Sequence, residues 1–569
     1  MELQGIAVSA GIGIGRVLAV APAELDYSHV VPAGAKAEQE RLNKAVAAFT
    51  EATRSLAQAA RQKAGEQQAG ILEGQLTMLS DPLLQRQLSD KLKAGESAEG
   101  AVDSVCQSFM ELFASTGDEL MAQRAADVSD LRTRLLSLLL GQEQPDLSAL
   151  PEETVLVVHD LTPSMTTTLN AGHVAAIVSE TGGFTSHSAI LARAMELPAV
   201  LSVPNALNAI PTGATAVVDG GSGIILIEPE AELLHTYKEK QAALLADKAA
   251  LSAFRGKPTR TASGGEIRLL GNIGSPQDAQ AVARATGEGI GLFRTEFLFM
   301  NRPTLPTEEE QFSVYRQAAE QFPQGEVIIR TLDVGGDKAV PCLELPREEN
   351  PFLGFRAIRY CLAHQEIFST QLRALLRASA FGPIKVMLPL VTRLSEMRQA
   401  RTLLEEQKAA LDREGTPYNR ELPLGIMVET PAAVLMADLF AQEADFFSIG
   451  TNDLTQYTMV ADRGNLQVAH LGSPFDPAVL RAIRQTVVAG HVAGIPVGMC
   501  GEAAADPRLI PLLLAFELDE FSVSASSVLS TRREISQWSL TKACQIASEA
   551  MALETEAQVK AYLEQQLSP

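Results

Sequence analysis

At 569 residues the chain is too long for one hydrophobic core and has the length of roughly three or four domains. Apolar residues at 46% and charged residues at 20% are the proportions of an ordinary globular protein, which excludes a disordered or fibrous chain. A net charge of −22 excludes nucleic acid as the partner class, because a polyphosphate needs a basic field, and suits a basic protein partner better.

The five cysteines, Cys106, Cys342, Cys361, Cys500 and Cys544, are widely spaced, with no CxxC pair and no Cys/His cluster of zinc type, so reduced thiols in a cytoplasm are expected. Residues 5–22, GIAVSAGIGIGRVLAVAP, have the apolar texture of a signal peptide, but Glu2 precedes them and Arg16 interrupts them, where a signal sequence wants positive charge first. No other segment supplies the roughly 20 unbroken apolar residues that cross a bilayer, so no membrane insertion is expected. The glycines of GIGIG at 11–15 lack the GxGxxG spacing of a dinucleotide site and read as strand and turn.

Residues 35–145 carry long stretches of helical periodicity, such as AEQERLNKAVAAFTEATRSLAQAARQ and DELMAQRAADVSDLRTRLLSLLLG, and predict a helical domain over 21–145. From 154 to 229 the texture changes to the short β-rich runs TVLVVHDL, HVAAIVSE, LPAVLSV, TAVVDG and GIILIEP, a small α/β domain. The strand-like residues 5–20 are expected to pair into that same sheet. The α/β domain is then discontinuous, 1–20 with 146–229, and the helical domain is an insertion. Within it TGGFTSHSAI, residues 181–190, sets His187 after two glycines at the start of a helix, where free backbone N–H groups favour an anion such as a phosphate carried on the imidazole. The alternative is a hydrogen-bonded structural histidine.

The segment 230–255 reads as a helix stopped by Gly-Lys-Pro and is the expected linker, over 230–258. Beyond it, apolar runs at about 267–271, 289–293, 327–331, 384–389, 424–429, 446–450, 496–500 and 519–523 alternate with helical stretches. This is the pattern of a (β/α)8 barrel over 259–569, whose chemistry belongs at the C-terminal strand ends. Those ends carry Arg294, Arg330, Glu429, Asn452, Asp453 and Cys500, with Arg356 and Arg463 in loops on the same face. Four arginines converging on one mouth imply a small anion, since guanidinium groups bind phosphate and carboxylate in bidentate fashion; the alternative is four structural salt bridges. Glu429 and Asp453 are hard oxygen ligands suited to Mg²⁺, unless they only neutralise the arginines. Cys500, in GMCGE, is either a proton donor above the barrel or a buried apolar residue.

The strings GGFTSHSAILAR, GLFRTEFLFM, LDVGGDK, ENPFLGFRAIR, IMVETPAA, FFSIGTNDLTQY, DRGN and GMCGE together resemble the enzyme I family of the bacterial phosphoenolpyruvate:sugar phosphotransferase system, nearly end to end. The resemblance implies a multidomain α/β chain in which a swivelling phosphohistidine domain with an inserted helical domain precedes a TIM barrel. It implies His187 as the phosphorylated residue and Arg294, Arg330, Arg356, Asn452, Asp453 and Arg463 as phosphoenolpyruvate contacts. Glu429 and Asp453 would hold Mg²⁺, and Cys500 would protonate the enolate of the departing pyruvate. It further implies a histidine-containing carrier protein (HPr) docked on the helical domain, and a homodimer formed through the barrel. Phe184 stands where many members carry Arg or Lys, and Ser164-Met165-Thr166 lacks an acidic middle residue, which bears on carrier preference. Phosphoenolpyruvate synthase or pyruvate phosphate dikinase is the nearest alternative, but no GxxxxGK[ST] loop and no room for a nucleotide domain are present.

Overall fold

The computed structural model describes every residue except 22–24, 64–65, 115–118, 143–146, 184–185, 301, 336–339, 344, 346–347, 466 and 568–569. Two compact units divide the chain, Met1–Lys248 and Ala249–Pro569.

The first unit is built on one eight-stranded sheet of β1 (Glu2–Gln4), β2 (Ile6–Ser9), β3 (Ile12–Val20), β4 (Thr154–Val158), β5 (Val174–Ser179), β6 (Ala199–Leu201), β7 (Thr215–Asp219) and β8 (Ile224–Ile227), in the order β1-β8-β7-β3-β4-β5-β6-β2. The N-terminal strands therefore do join the sheet of residues 154–227. All five residues of β4 are buried, as expected of a parallel strand covered on both faces, and after Thr154 they read as an unbroken run of Val and Leu. The GIGIG glycines serve strand packing: a Cβ at Gly15 would lie 1.7 Å from the Glu153 carbonyl oxygen, and one at Gly13 2.2 Å from that of Ala175.

Between β3 and β4 the chain forms helices Ala35–Lys63, Glu66–Leu79, Pro82–Lys93, Ala98–Ala114 and Glu119–Leu140, packed around Leu42, Phe49, Leu88, Val102 and Leu135. The breaks have local causes. Asp81 caps one helix by accepting from the Leu83 and Leu84 N–H groups ahead of Pro82, and Gly95, at φ 95°, follows its end.

The second unit is a closed parallel barrel of β9 (Arg268–Ile273), β10 (Ile290–Phe293), β11 (Val327–Arg330), β12 (Ile384–Leu388), β13 (Leu424–Val428), β14 (Phe447–Ile449), β15 (Val497–Met499) and β16 (Glu520–Ser524). Each apolar run predicted from the sequence is one of these strands, in order. Leu292, Ile328, Met387, Met427, Phe446 and Cys500 fill its interior below the C-terminal rim. No helix among the described residues is long and apolar enough to cross a membrane.

The opposite, N-terminal end of the barrel holds an ionic cluster around the buried Glu520. Arg268 reaches both Glu326 and, at 3.5 Å, Glu520, while Lys385 pairs with Glu326. Burial, then the neighbouring Glu326 charge, pushes the Glu520 carboxyl well above the usual carboxylate range. A raised folded pKa means that the native state holds a proton the unfolded chain has released. Its stabilising share is complete below the ordinary carboxylate pKa and is lost as pH rises through the folded value. Glu520→Gln, neutral at every pH, should therefore gain stability relative to the parent between about pH 5 and about pH 8. Thermal melts at both pH values check this; a variant destabilised equally at both would show that Glu520 is charged in the fold.

Candidate active site

The C-terminal rim of the barrel encloses a cavity of about 610 Å³ lined by four arginines, Arg294, Arg330, Arg356 and Arg463, and five carboxylates, Glu296, Asp333, Glu429, Asp453 and Glu502. Every site residue that the sequence places in the barrel lines it.

Arg330, the last residue of β11, pairs with Glu296 and lies 2.9 Å from Asp333. Burial opposes its charge, but Glu296, Asp333 and Glu429 more than compensate and hold its pKa raised. Arg356 donates to Asp333 Oδ1 through Nε at 3.1 Å and Nη2 at 2.7 Å, so one aspartate joins two arginines. Among the described residues Arg463 makes one salt bridge, to Asp453 at 3.4 Å, and is half exposed, whereas Arg294 is exposed and makes none. The salt-bridge alternative thus describes Arg330 and Arg356, whereas Arg294 and Arg463 bring positive charge to the cavity with little or no compensation. Phe352 lies between Arg356 and Arg463, each guanidinium 6.0 Å from its ring centre.

Glu429 directly follows β13 and is buried. Its Oε1 accepts the Leu390 N–H at 2.6 Å, from a residue held at φ 54°, a left-handed conformation unusual for leucine. Burial, then the charges of Asp453 and Asp333, raises its pKa well above the usual range. A Cβ at Gly450 would lie 2.9 Å from Glu429 Oε2, so this glycine leaves room for the carboxylate. Asp453 sits in the first turn of helix Thr451–Met459, and its buried Oδ1 accepts no hydrogen bond. Two repelling buried carboxylates, one with an oxygen that accepts no hydrogen bond and has only the 3.4 Å ion pair with Arg463, form a corner that fits a hard cation. Among the described residues no group of three or more His, Cys, Asp or Glu is arranged to hold a metal ion, so such a cation would take its other ligands from substrate and water.

Asn452 is committed to Glu502: its amide donates to Oε1 and its oxygen accepts the Glu502 N–H, each at 3.3 Å. The Cys500 thiol follows β15 with its sulfur 3.8 Å from the Ile449 carbonyl oxygen, and burial pushes its pKa up to about 11. It is protonated at neutral pH.

In the first unit, His187 is the first residue of helix His187–Ala194. Ser186 caps that helix, accepting the Ala189 N–H at 3.3 Å and donating to the Gly183 carbonyl at 2.8 Å. Ser188 donates to Asp160 at 2.8 Å, and Ser202 to the Gly182 carbonyl at 2.5 Å, so the turn is braced from both sides. Phe184, Thr185 and the His187 side chain lie outside the described part of the structure. Nearby, His159 Nδ1 stands 2.8 Å from Glu180, whose pKa this hydrogen bond lowers. Ser164 donates to Asp130 at 2.8 Å, tying the Ser164-Met165-Thr166 segment to the helical bundle.

Sequence reasoning missed Glu296 and Asp333, which orient the buried arginines. Both lie within three residues of a predicted arginine, in the strand-end segments where the barrel rule places chemistry.

The chain belongs to the PEP-utilising enzymes: the family's PEP-binding domain matches residues 248–540, its N-terminal domain 4–124 and its mobile domain 150–223. Within that class its full-length relatives are phosphoenolpyruvate-protein phosphotransferases. The one from Geobacillus stearothermophilus is 44% identical over 567 residues, 100% of this chain and 98% of the relative; that of Bacillus subtilis (strain 168) is 43% identical, covering 99% of each. Among solved structures, a solution structure of an enzyme I protein (nEIt) is 31% identical over 42% of this chain and 99% of that one, with a TM-score of 0.38.

Proposed function

We propose that the protein is a phosphoenolpyruvate-protein phosphotransferase that moves phosphate from phosphoenolpyruvate to its own His187 and then to the histidine of an HPr-type carrier. The observation that carries this reading is the barrel cavity, where arginines with spare positive charge surround a two-carboxylate corner beside a protonated thiol. Full-length likeness to named phosphotransferases supports it.

In this reading the arginines bind the phosphate and carboxylate of phosphoenolpyruvate, with Arg294, which makes no salt bridge among the described residues, and the half-exposed Arg463, paired with Asp453, supplying the least compensated charge. Mg²⁺ on Glu429 and Asp453 would neutralise phosphate charge and orient the substrate. Asn452 positions the substrate from the same helix turn as Asp453. The neutral imidazole of His187 attacks phosphorus in line, its nitrogen–phosphorus bond forming as the bond to the enol oxygen breaks. The enolate then takes the Cys500 proton at its methylene carbon, giving pyruvate, and water reprotonates the thiolate. Phosphoryl transfer needs positioning and charge neutralisation more than covalent help, which matches a site built of arginines and carboxylates.

The division of labour follows: 1–20 with 146–229 carries His187, 21–145 docks the carrier, 230–258 links, and 259–569 binds phosphoenolpyruvate and dimerises. His187 visits two partners in turn, in a cytoplasmic protein. Phe184 and Met165 bear on which carrier is preferred.

Glu429→Gln and Asp453→Asn keep shape while removing an anionic ligand, and each should lower activity and shift the Mg²⁺ requirement to higher concentration. Titration of phosphoryl transfer against Mg²⁺ checks this. Unchanged curves for both variants would remove the metal assignment.

A further inference from the structure

Beneath the rim of the barrel, one buried amide joins two of the strand ends that form the cavity. Gln371 is 1% exposed and lies on helix Gln365–Ala378, outside the cavity lining. Its Oε1 accepts the Leu332 N–H at 2.9 Å, and its Nε2 donates to Thr295 Oγ1 at 3.2 Å and to the Tyr315 hydroxyl oxygen at 3.1 Å. Thr295 Oγ1 in turn donates to the Arg330 carbonyl at 2.9 Å. Leu332 lies between Arg330 and Asp333, and Thr295 between Arg294 and Glu296. The four cavity residues on these two segments therefore hang from a single closed network: Gln371 to Leu332, Gln371 to Thr295, Thr295 to Arg330. Tyr315 donates onward to Gln311 at 3.0 Å, and Gln311 to the Pro306 carbonyl at 3.2 Å, so the network is anchored in the outer helices.

An asymmetric amide suits this place. It accepts from a backbone N–H through its oxygen and donates to two hydroxyls through its nitrogen, all without charge. β10 and β11 pair with each other only as far as Phe293 and Ile329; beyond that register the Arg294 N–H bonds to the Ile273 carbonyl and the Thr331 N–H to the Met387 carbonyl, so each segment's backbone is tied to its outer neighbour and not to the other segment. Their register with each other is set by side-chain bonds.

We propose that Gln371 and Thr295 form a positioning pair that sets Arg294 and Glu296 in register with Arg330 and Asp333. This makes Gln371, a residue that touches no substrate, a determinant of phosphoenolpyruvate turnover. The inference rests on the proposed role of the barrel cavity.

The test is a double-mutant cycle on the full-length protein, read as kcat and KM for phosphoenolpyruvate. Gln371→Met keeps volume and removes all three side-chain bonds; Thr295→Val keeps shape and removes the hydroxyl. Each should lower kcat/KM roughly ten- to hundredfold, the size expected when reacting groups are displaced by about an ångström. Thr295→Ser, which keeps the hydroxyl, should recover most of what Thr295→Val loses. The double variant should be little worse than the poorer single one, because both break the same tie. Phosphate exchange between His187 and a phosphorylated carrier, which does not use the barrel, should be unchanged. Full kcat/KM in a folded Gln371→Met, equal losses in the Ser and Val variants, or additive losses in the double variant would each overturn the proposal. If Gln371→Met does not fold, the comparison of Thr295→Val with Thr295→Ser decides. Arg294→Ala run alongside separates the two failures: full activity there sinks the cavity assignment itself, whereas loss there with full activity in Gln371→Met sinks the positioning pair alone.

Discussion

Alanine at His187 is expected to abolish phosphoryl transfer from phosphoenolpyruvate to a carrier protein, a loss of at least about 10⁴-fold, because the nitrogen that holds the phosphate between two partners is gone. The substitution falls on the first residue of a helix whose cap is made by Ser186 and whose brace is Ser188 on Asp160, so those supports remain. The fold should survive, with the melting temperature within a few degrees of the parent. The linkage in the parent should be acid-labile and base-stable, as a phosphoramidate is. Stoichiometric labelling of His187→Ala by phosphoenolpyruvate would show that another residue carries the phosphate.

The arginines separate into two kinds, and their variants should differ accordingly. Arg294→Ala and Arg330→Ala should each lower the rate roughly 10²–10³-fold, since each guanidinium faces the charge that develops on the transferring phosphate. Arg294 makes no salt bridge among the described residues, so its loss should leave stability almost untouched. Arg330 is buried against Glu296 and Asp333, and its removal takes the arginine from the buried Glu296 carboxylate while leaving Asp333 to Arg356 alone. Breaking such a cluster costs about 3–5 kcal/mol, so Arg330→Ala should melt earlier as well as react slowly. Comparing kcat/KM with melting temperature across the pair distinguishes the roles. If Arg294→Ala were as active as the parent, the cavity would not be the donor site.

The barrel was legible because its strands are largely buried on both sides and most read as short apolar runs separated by amphipathic helices; Ile290–Phe293 and Leu424–Val428 are of this kind. The barrel rule then located chemistry at strand ends, which is how Glu429, Asp453 and Cys500 could be chosen from one sequence. What escaped depends on partners distant in the chain. Glu296 and Asp333 gain meaning only when Arg330 and Arg356 fold onto them. Asn452 could be read as facing the cavity, but not as hydrogen-bonded to Glu502, 50 residues away. The left-handed turn at Leu390 carries no glycine to announce it; it persists because its N–H meets Glu429. In the helical region, the long helices Ala35–Lys63 and Glu119–Leu140 carry clear periodicity, whereas the three between them are shorter and are delimited by caps such as Asp81-Pro82.

The central claim is that donor chemistry belongs to the barrel and carrier chemistry to the N-terminal unit, with His187 serving both. A chain of residues 1–255 contains the whole first unit and the helix Ala231–Ser252 that follows its sheet, but none of Arg294, Arg330, Glu429 or Asp453. Incubated with labelled phosphoenolpyruvate and Mg²⁺, it should take up no phosphate; incubated with a labelled phosphorylated carrier, it should become labelled on His187 and return that label to unlabelled carrier. Adding residues 256–569 as a separate chain should restore only slight uptake from phosphoenolpyruvate, because the tether's high effective concentration is lost. Labelling of the 1–255 chain by phosphoenolpyruvate alone would contradict the two-site division and place the donor site outside the barrel.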